Sequence, residues 1–198
     1  MIKSLYPCFQ HWSELGAVYL VSDTHFKDLD RKYMGYHISN EDQWYIINDT
    51  CHRFDTLVHL GDVGDLEYIK RLRCHKVLIM GNHDQSIEKM EEVFDEVYSG
   101  PLWISQKLVL SHEPIWLEAL EGFEQPIAFN IHGHDHNKEN KETYYSLNLA
   151  QNVYGYIPLN LNQFIKSGKL KNIDDIHRVT IDNATINALA KKLKFYSD

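Results

Sequence analysis

Apolar residues along this chain gather in short runs, and five of those runs stop at a cluster of Gly, Asp, Asn and His. They are AVYLVSDTH (17–25), TLVHLGDVGD (56–65), KVLIMGNHD (76–84), KLVLSHEP (107–114) and PIAFNIHGHDH (126–136). Each apolar part has the length of a buried strand. Helical signals lie between them: residues 41–54 behind a Ser39 cap with Asp42 three positions on, 66–74 behind Asp65, and 86–94. Alternation of strand and helix predicts an α/β domain with parallel neighbours in a sheet, and ligands collect at the carboxyl ends of such strands. Farther along, residues 144–149 and 153–157 read as two more strands joined by a short polar turn, so a second sheet is expected. Residues 159–198 read as a helical extension, two short helices with a Ser167-Gly168 stop and an Asp182 cap, the second carrying an apolar stripe of Ile186, Leu189 and Leu193. The aromatic opening MIKSLYPCFQHW is expected to pack on the domain or on a second subunit. With no repeat, low-complexity tract or long linker, one domain over residues 1–198 is expected, its core at about 17–158.

Composition narrows this picture in three places. No run approaches the roughly 18 apolar residues of a membrane span, and the N-terminus lacks a signal-type apolar region, so the chain reads as cytoplasmic. Cys8, Cys51 and Cys74 are odd in number and far apart, which predicts reduced, half-buried thiols rather than disulfides or a zinc knuckle. A net charge of −8 opposes non-specific adhesion to nucleic acid or anionic membrane. Twelve histidines among 198 residues are what remains to be explained.

Most of the polar clusters would mean little alone. Asp23 and His25 leave one face of an extended strand, yet in isolation they read as a turn aspartate and a surface histidine. Asp62 follows Gly61, which lets the chain turn sharply at a strand end. Asn82, His83 and Asp84 stand together, and His112 follows KLVL directly. His132, His134 and His136 then occupy alternate positions. Five successive strands ending in metal-competent side chains exceed what independent turn preferences produce. Carboxylate, imidazole and amide oxygen without thiolate suit Mn, Fe, Zn or Co. So many ligands exceed one tetrahedral ion and imply two divalent ions sharing a ligand, about 3.5 to 4 Å apart.

In this order, D-x-H, G-D-x-x-D, G-N-H-D, a later H and G-H-x-H resemble the calcineurin-like metallophosphoesterase superfamily. SDTHF, LGD, GNHD, LSHEP and NIHGHDH look especially like its small single-domain bacterial and phage-borne branch. The resemblance implies a four-layer α/β/β/α fold, two mixed β-sheets packed as a sandwich and flanked by helices. It assigns Asp23, His25, Asp62 and His136 to one ion and Asp62, Asn82, His112 and His134 to the other, with Asp62 bridging. Manganese is the favoured ion, with Fe, Zn, Co or Ni as alternatives. His83 becomes the acid beside the leaving-group oxygen, with Asp84 orienting its ring, and Asn82 and His83 meet the substrate. His132 falls outside the motif and is left a structural role or one supporting the ligands from behind.

The implied activity is hydrolysis of a phosphate ester by a hydroxide bridging both ions. With no paired-arginine motif, a phosphodiesterase of a small or nucleotide-like substrate is favoured over a phosphomonoesterase or a non-catalytic scaffold of the same fold. The expected partner is a small-molecule phosphoester, not a membrane, and acidity and length weigh against nucleic acid. Residues 26–37, with Lys27, Arg31 and Lys32, and residues 115–126 read equally well as substrate walls or as plain solvated linker. Oligomeric state is left open.

Overall fold

The computed structural model describes residues 7–14, 16–117 and 126–173. After a short helix α1 (Pro7–Trp12), the chain forms β1 (Val18–Val21), α2 (Arg31–Met34), α3 (Asn40–Thr50), β2 (Thr56–His59), α4 (Leu66–Lys70), β3 (His75–Ile79), α5 (Ile87–Glu91) and β4 (Glu96–Tyr98). The second half adds β5 (Leu102–Ser105), β6 (Leu108–Leu110), β7 (Phe129–His132), β8 (Ser146–Asn148), α6 (Gln151–Tyr154), β9 (Leu159–Asn160) and α7 (Leu161–Lys166).

Two mixed sheets result. The first has the order β4-β3-β2-β1-β9, parallel except for antiparallel β9 at its edge. The second has the order β5-β6-β7-β8, parallel except for antiparallel β5. Alternation along each strand sorts side chains between faces. Val18, Leu20, Val58, Leu60, Val77 and Ile79 of the first sheet pack with Leu108, Leu110, Phe129, Ile131 and Leu147 of the second. Full burial of each such side chain contributes about 2 kcal/mol. The residues between them, Val21, Leu57 and Leu78, face outward onto Ile47 of α3, Ile69 of α4 and Met90 of α5. The result is an α/β sandwich with flanking helices.

Local chemistry sets the helix starts. Ser39 Oγ accepts from Asp42 N at 3.0 Å, and the Asp65 carboxylate accepts from Glu67 N at 3.0 Å. The helices stop earlier than the apolar pattern suggested, at Thr50, Lys70 and Glu91. Residues 153–157 do not form the expected strand. Gln151–Tyr154 is a helical turn ending at Gly155, because Gln151 and Asn152 point their amides inward to Gln43 and to the His136 loop. The expected stop at Ser167-Gly168 is where α7 ends, with Gly168 left-handed. The Asp182 cap and the stripe of Ile186, Leu189 and Leu193 lie outside the described residues. Trp12 is buried in the inter-sheet core, so residues 7–12 of the opening segment pack on this fold. All three cysteines are free, and Cys51 and Cys74 are fully rather than half buried. Among the described residues no helix is long and apolar enough to cross a membrane.

Candidate metal centre

The carboxyl ends of β1, β2 and β3 lie side by side in one sheet, and those of β6 and β7 in the other. Five polar clusters therefore converge at one end of the sandwich. Asp23 N donates to Gly61 O at 2.9 Å and His25 N to Asp62 O at 3.0 Å, tying the first cluster to the second. Across the sheets, His134 N donates to both Asp23 carboxylate oxygens at 3.1 and 3.0 Å. Gly133 permits that crossing, since a Cβ there would overlap Ser22 Oγ and Asp23 Oδ2. Gly61 sits at φ 91° against the Gly81 backbone, where a Cβ would fall 2.5 Å from Gly81 N.

Four of the backbones in this cluster are strained. Asp23, His25, Asp62 and His134 hold φ of 51°, 42°, 58° and 67°, a left-handed region that L-residues enter at a cost of about 1–3 kcal/mol each. Such outliers concentrate where side chains must be aimed.

All seven groups named from the sequence meet here. His25 Nε2 lies 3.8 Å from Asp23 Oδ1 and 3.5 Å from Asp62 Oδ2. His136 Nε2 is 3.6 Å from Asp23 Oδ1. On the other side, His112 Nε2 is 3.5 Å from Asp62 Oδ1, 2.9 Å from Asn82 Oδ1 and 3.1 Å from His134 Nδ1. The two oxygens of Asp62 thus face two separate histidine groups.

Three imidazoles are oriented by what their other nitrogen donates to. His112 Nδ1 donates to Leu60 O at 2.8 Å, which leaves Nε2 as a bare lone pair. His25 Nδ1 donates to Asp28 Oδ2 at 3.0 Å, and His136 Nδ1 to Asn152 Oδ1 at 2.7 Å. The Asn152 oxygen is the acceptor because its amide nitrogen donates to His136 O and Met34 O. In the neutral ring each Nε2 then turns a lone pair toward carboxylate or amide oxygens. His25 Nε2 is buried without any hydrogen-bond partner. Acceptors facing acceptors repel, and a cation between them removes the repulsion. The donor set, imidazole nitrogen with carboxylate and amide oxygen, fits divalent transition metals. Burial pushes the Asp23 carboxyl up to about 7 and His25 down, so the protein without a cation holds its charge at this site poorly.

Other expected residues take different places. His83 is exposed at the rim, its ring 6.0 Å from that of His25 and its backbone N donating to Asp62 Oδ1 at 3.0 Å. Asp84 does not grip the His83 ring. Its carboxylate is taken by the backbone N–H groups of Gly81, Val63 and Asp62 at 2.8, 2.9 and 3.1 Å, which brace the loop carrying Asp62. His132 is buried, its Nδ1 against Gly133 O at 2.8 Å.

Residues 26–37 brace the site from one side. Arg31 is buried, its guanidinium donating to Thr24 O and Gln43 Oε1, and Tyr36 OH donates to Asp23 O at 2.5 Å. Lys27 pairs with Asp65 at 2.7 Å, and Lys32 lies over Tyr33. Of the second stretch, residues 118–125 lie outside the described residues. Asp28, Asn152 and buried Asn130, which holds the His112 loop through Ser111 Oγ and Ile115 N, went unnoticed in the sequence. Asn130 and Asn152 find partners 15 to 118 residues away, which no local spacing marks, whereas Asp28 stands three residues from His25 in a loop where nothing else singled it out.

The model of the calcineurin-like phosphoesterase superfamily domain matches residues 17–152. The chain belongs to this superfamily. A crystal structure of a protein of unknown function from Aquifex aeolicus is similar in fold, with a TM-score of 0.60 at 24% identity over 76% of this chain and 98% of that one. No functionally curated protein matches the chain.

Proposed function

We propose that this chain is a dinuclear metal-dependent hydrolase of phosphate esters, acting on a diester of a small or nucleotide-like alcohol. The carrying observation is the convergence of bare imidazole nitrogens on the two faces of Asp62. Asp23, His25, Asp62 and His136 would hold one ion and Asp62, Asn82, His112 and His134 the other, with manganese favoured. Such ions supply Lewis acidity toward phosphoryl oxygens and make a coordinated water acidic near neutral pH.

The chain's own residues do the rest. Asp28, Asn152 and the Leu60 carbonyl keep the imidazole protons away from the ions. His83, exposed beside the cleft, would donate a proton to the departing alcohol oxygen. Asp84 holds the loop from which both Asp62 and His83 act.

A cavity of about 490 Å³ opens beside Asn82 and His112, with Ile79, Met80, Ile87, Pro101 and Ile115 among its walls. Among the described residues no Lys or Arg lines it. A wall of this kind suits an uncharged organic arm better than a second phosphate, which supports the diester reading.

The test is hydrolysis of bis-p-nitrophenyl phosphate and p-nitrophenyl phosphate by chain loaded with Mn, Ni, Co or Zn. Turnover of the diester, greatly slowed in His83→Ala, is expected. Faster turnover of the monoester would make the enzyme a phosphomonoesterase. No turnover of either ester, with substoichiometric metal, would make it a scaffold and end the hydrolase reading.

A further inference from the structure

A second cluster of metal-competent side chains lies at the opposite end of the first sheet. His75 opens β3 and Glu96 opens β4, whereas Asn82 to Asp84 follow the far end of β3. His11, from α1, reaches the same spot. His75 Nε2 is 2.7 Å and His11 Nε2 3.6 Å from the one oxygen Glu96 Oε1. The ligand atoms of all three lie within 4.8 Å of one another, and the two rings meet edge-on at 5.9 Å.

The surroundings hold these groups in place. Tyr98 OH donates to Glu96 Oε2 at 2.7 Å, and Trp12 Nε1 lies 3.2 Å from both carboxylate oxygens. Asp95 Oδ2 stands 3.6 Å from His75 Nδ1. At that distance it is not yet hydrogen-bonded, but a small side-chain shift lets it accept from His75 Nδ1, the arrangement that fixes the tautomer of a metal-bound imidazole. Without an ion, His75 Nε2 carries the proton and donates to Glu96. On binding, the proton moves to Nδ1 toward Asp95 and frees Nε2 as a ligand.

We propose that His11, His75 and Glu96 form a further metal site, separate from the cleft, for a divalent ion of the zinc, cobalt or nickel class. Two imidazoles and one carboxylate match those ions rather than calcium or magnesium, which take oxygen shells. The ion fastens α1 to the β3–β4 edge of the sheet, joining three elements that are distant in sequence.

The test uses the full, untagged chain stripped with chelator and then dialysed against Zn²⁺, with bound metal counted by mass spectrometry and melting followed with and without Zn²⁺. Wild type should bind one equivalent more than His11→Ala and than Glu96→Gln. At Zn²⁺ a hundredfold above its Kd, the site should add about 5 °C or more to the Zn²⁺-dependent rise in Tm, an increment absent from both variants. The His11 side chain is 65% exposed, so His11→Ala should fold even if Glu96→Gln does not. Equal zinc content in wild type and His11→Ala, or an equal Zn²⁺-dependent Tm rise, would overturn the proposal. Because the readout is a difference of one equivalent, it stands apart from how many ions the cleft takes up. Phosphoester turnover should be unchanged in His11→Ala.

Discussion

His59 closes β2 on the face away from the inter-sheet core, fully buried against Phe94. Its Nε2 is 2.9 Å from Thr24 Oγ1, and that hydroxyl donates its only proton to Val63 O at 2.7 Å. Thr24 must therefore accept from His59 Nε2–H, which leaves Nδ1 a buried lone pair with no partner. Burial, reinforced by His112 and His25, lowers the His59 pKa from 6.5 to about 3. A depressed folded-state pKa means that the unfolded chain takes up the proton first. Stability from this residue is complete above pH 6.5 and is lost as pH falls, down to about 3. At pH 5 the loss is about 2 kcal/mol, from 1.36 kcal/mol per unit over roughly 1.5 units. His59→Leu removes the titrating group and costs about 1 kcal/mol at pH 7 through the lost bond to Thr24. On moving from pH 7 to pH 5, the gap between wild type and variant should therefore shift by about 2 kcal/mol in favour of the variant. Urea unfolding of both proteins in chelator reads this directly, since the other histidines are common to the two. A gap that stays constant, or moves the other way, would show that His59 is not held neutral by its burial.

Three further outcomes follow from the cleft. Gly133→Ala should reduce turnover by about a hundredfold or more in steady-state assays, because the new methyl displaces the loop from Ser22 and Asp23 and misplaces His134. His83→Ala and Asp84→Asn should separate cleanly. The first lowers kcat by about 10²- to 10⁴-fold at unchanged metal content. The second sets an amide NH₂ against backbone N–H groups, costs about 1–3 kcal/mol in unfolding experiments and weakens metal retention. His134→Ala and His136→Ala should each lose metal and activity on metal analysis, whereas His132→Ala should keep its metal. Comparable metal loss in His132→Ala would place that buried ring among the ligands.

Much of this was readable along the chain, and for a local reason. A strand of four to six apolar residues followed by a polar turn is a short-range pattern, so β1, β2, β3, β6 and β7 and the seven groups at their ends stood out in order. The caps at Ser39 and Asp65 were visible because a cap and its acceptor geometry span only a few residues. Short edge strands such as β4, β5 and β9 went unseen, since two to four residues at an edge carry little periodicity. The segment at residues 153–157 misled for a related reason: Val153 and the tyrosines around it favour a strand, but the inward amides of Gln151 and Asn152 decide the backbone.

Sequence alone therefore determined the alternating α/β plan, the residue types at the strand ends and the superfamily pattern those residues make. Only the tertiary structure decided how they are held. The roles of Asn130 and Asn152 and the turn of Asp84 away from His83 depend on which groups distant in sequence come within hydrogen-bond reach, and the pairing of Asp28 with His25 and the burial of Arg31 depend on how the loop after β1 folds back. The meeting of His11 with His75 and Glu96 has the same origin, since α1, β3 and β4 become neighbours only once the sheet is formed. Local patterning selects strands and caps through interactions a few residues long. The partner of a buried polar group is chosen by the folded packing, which has no signature at any fixed spacing.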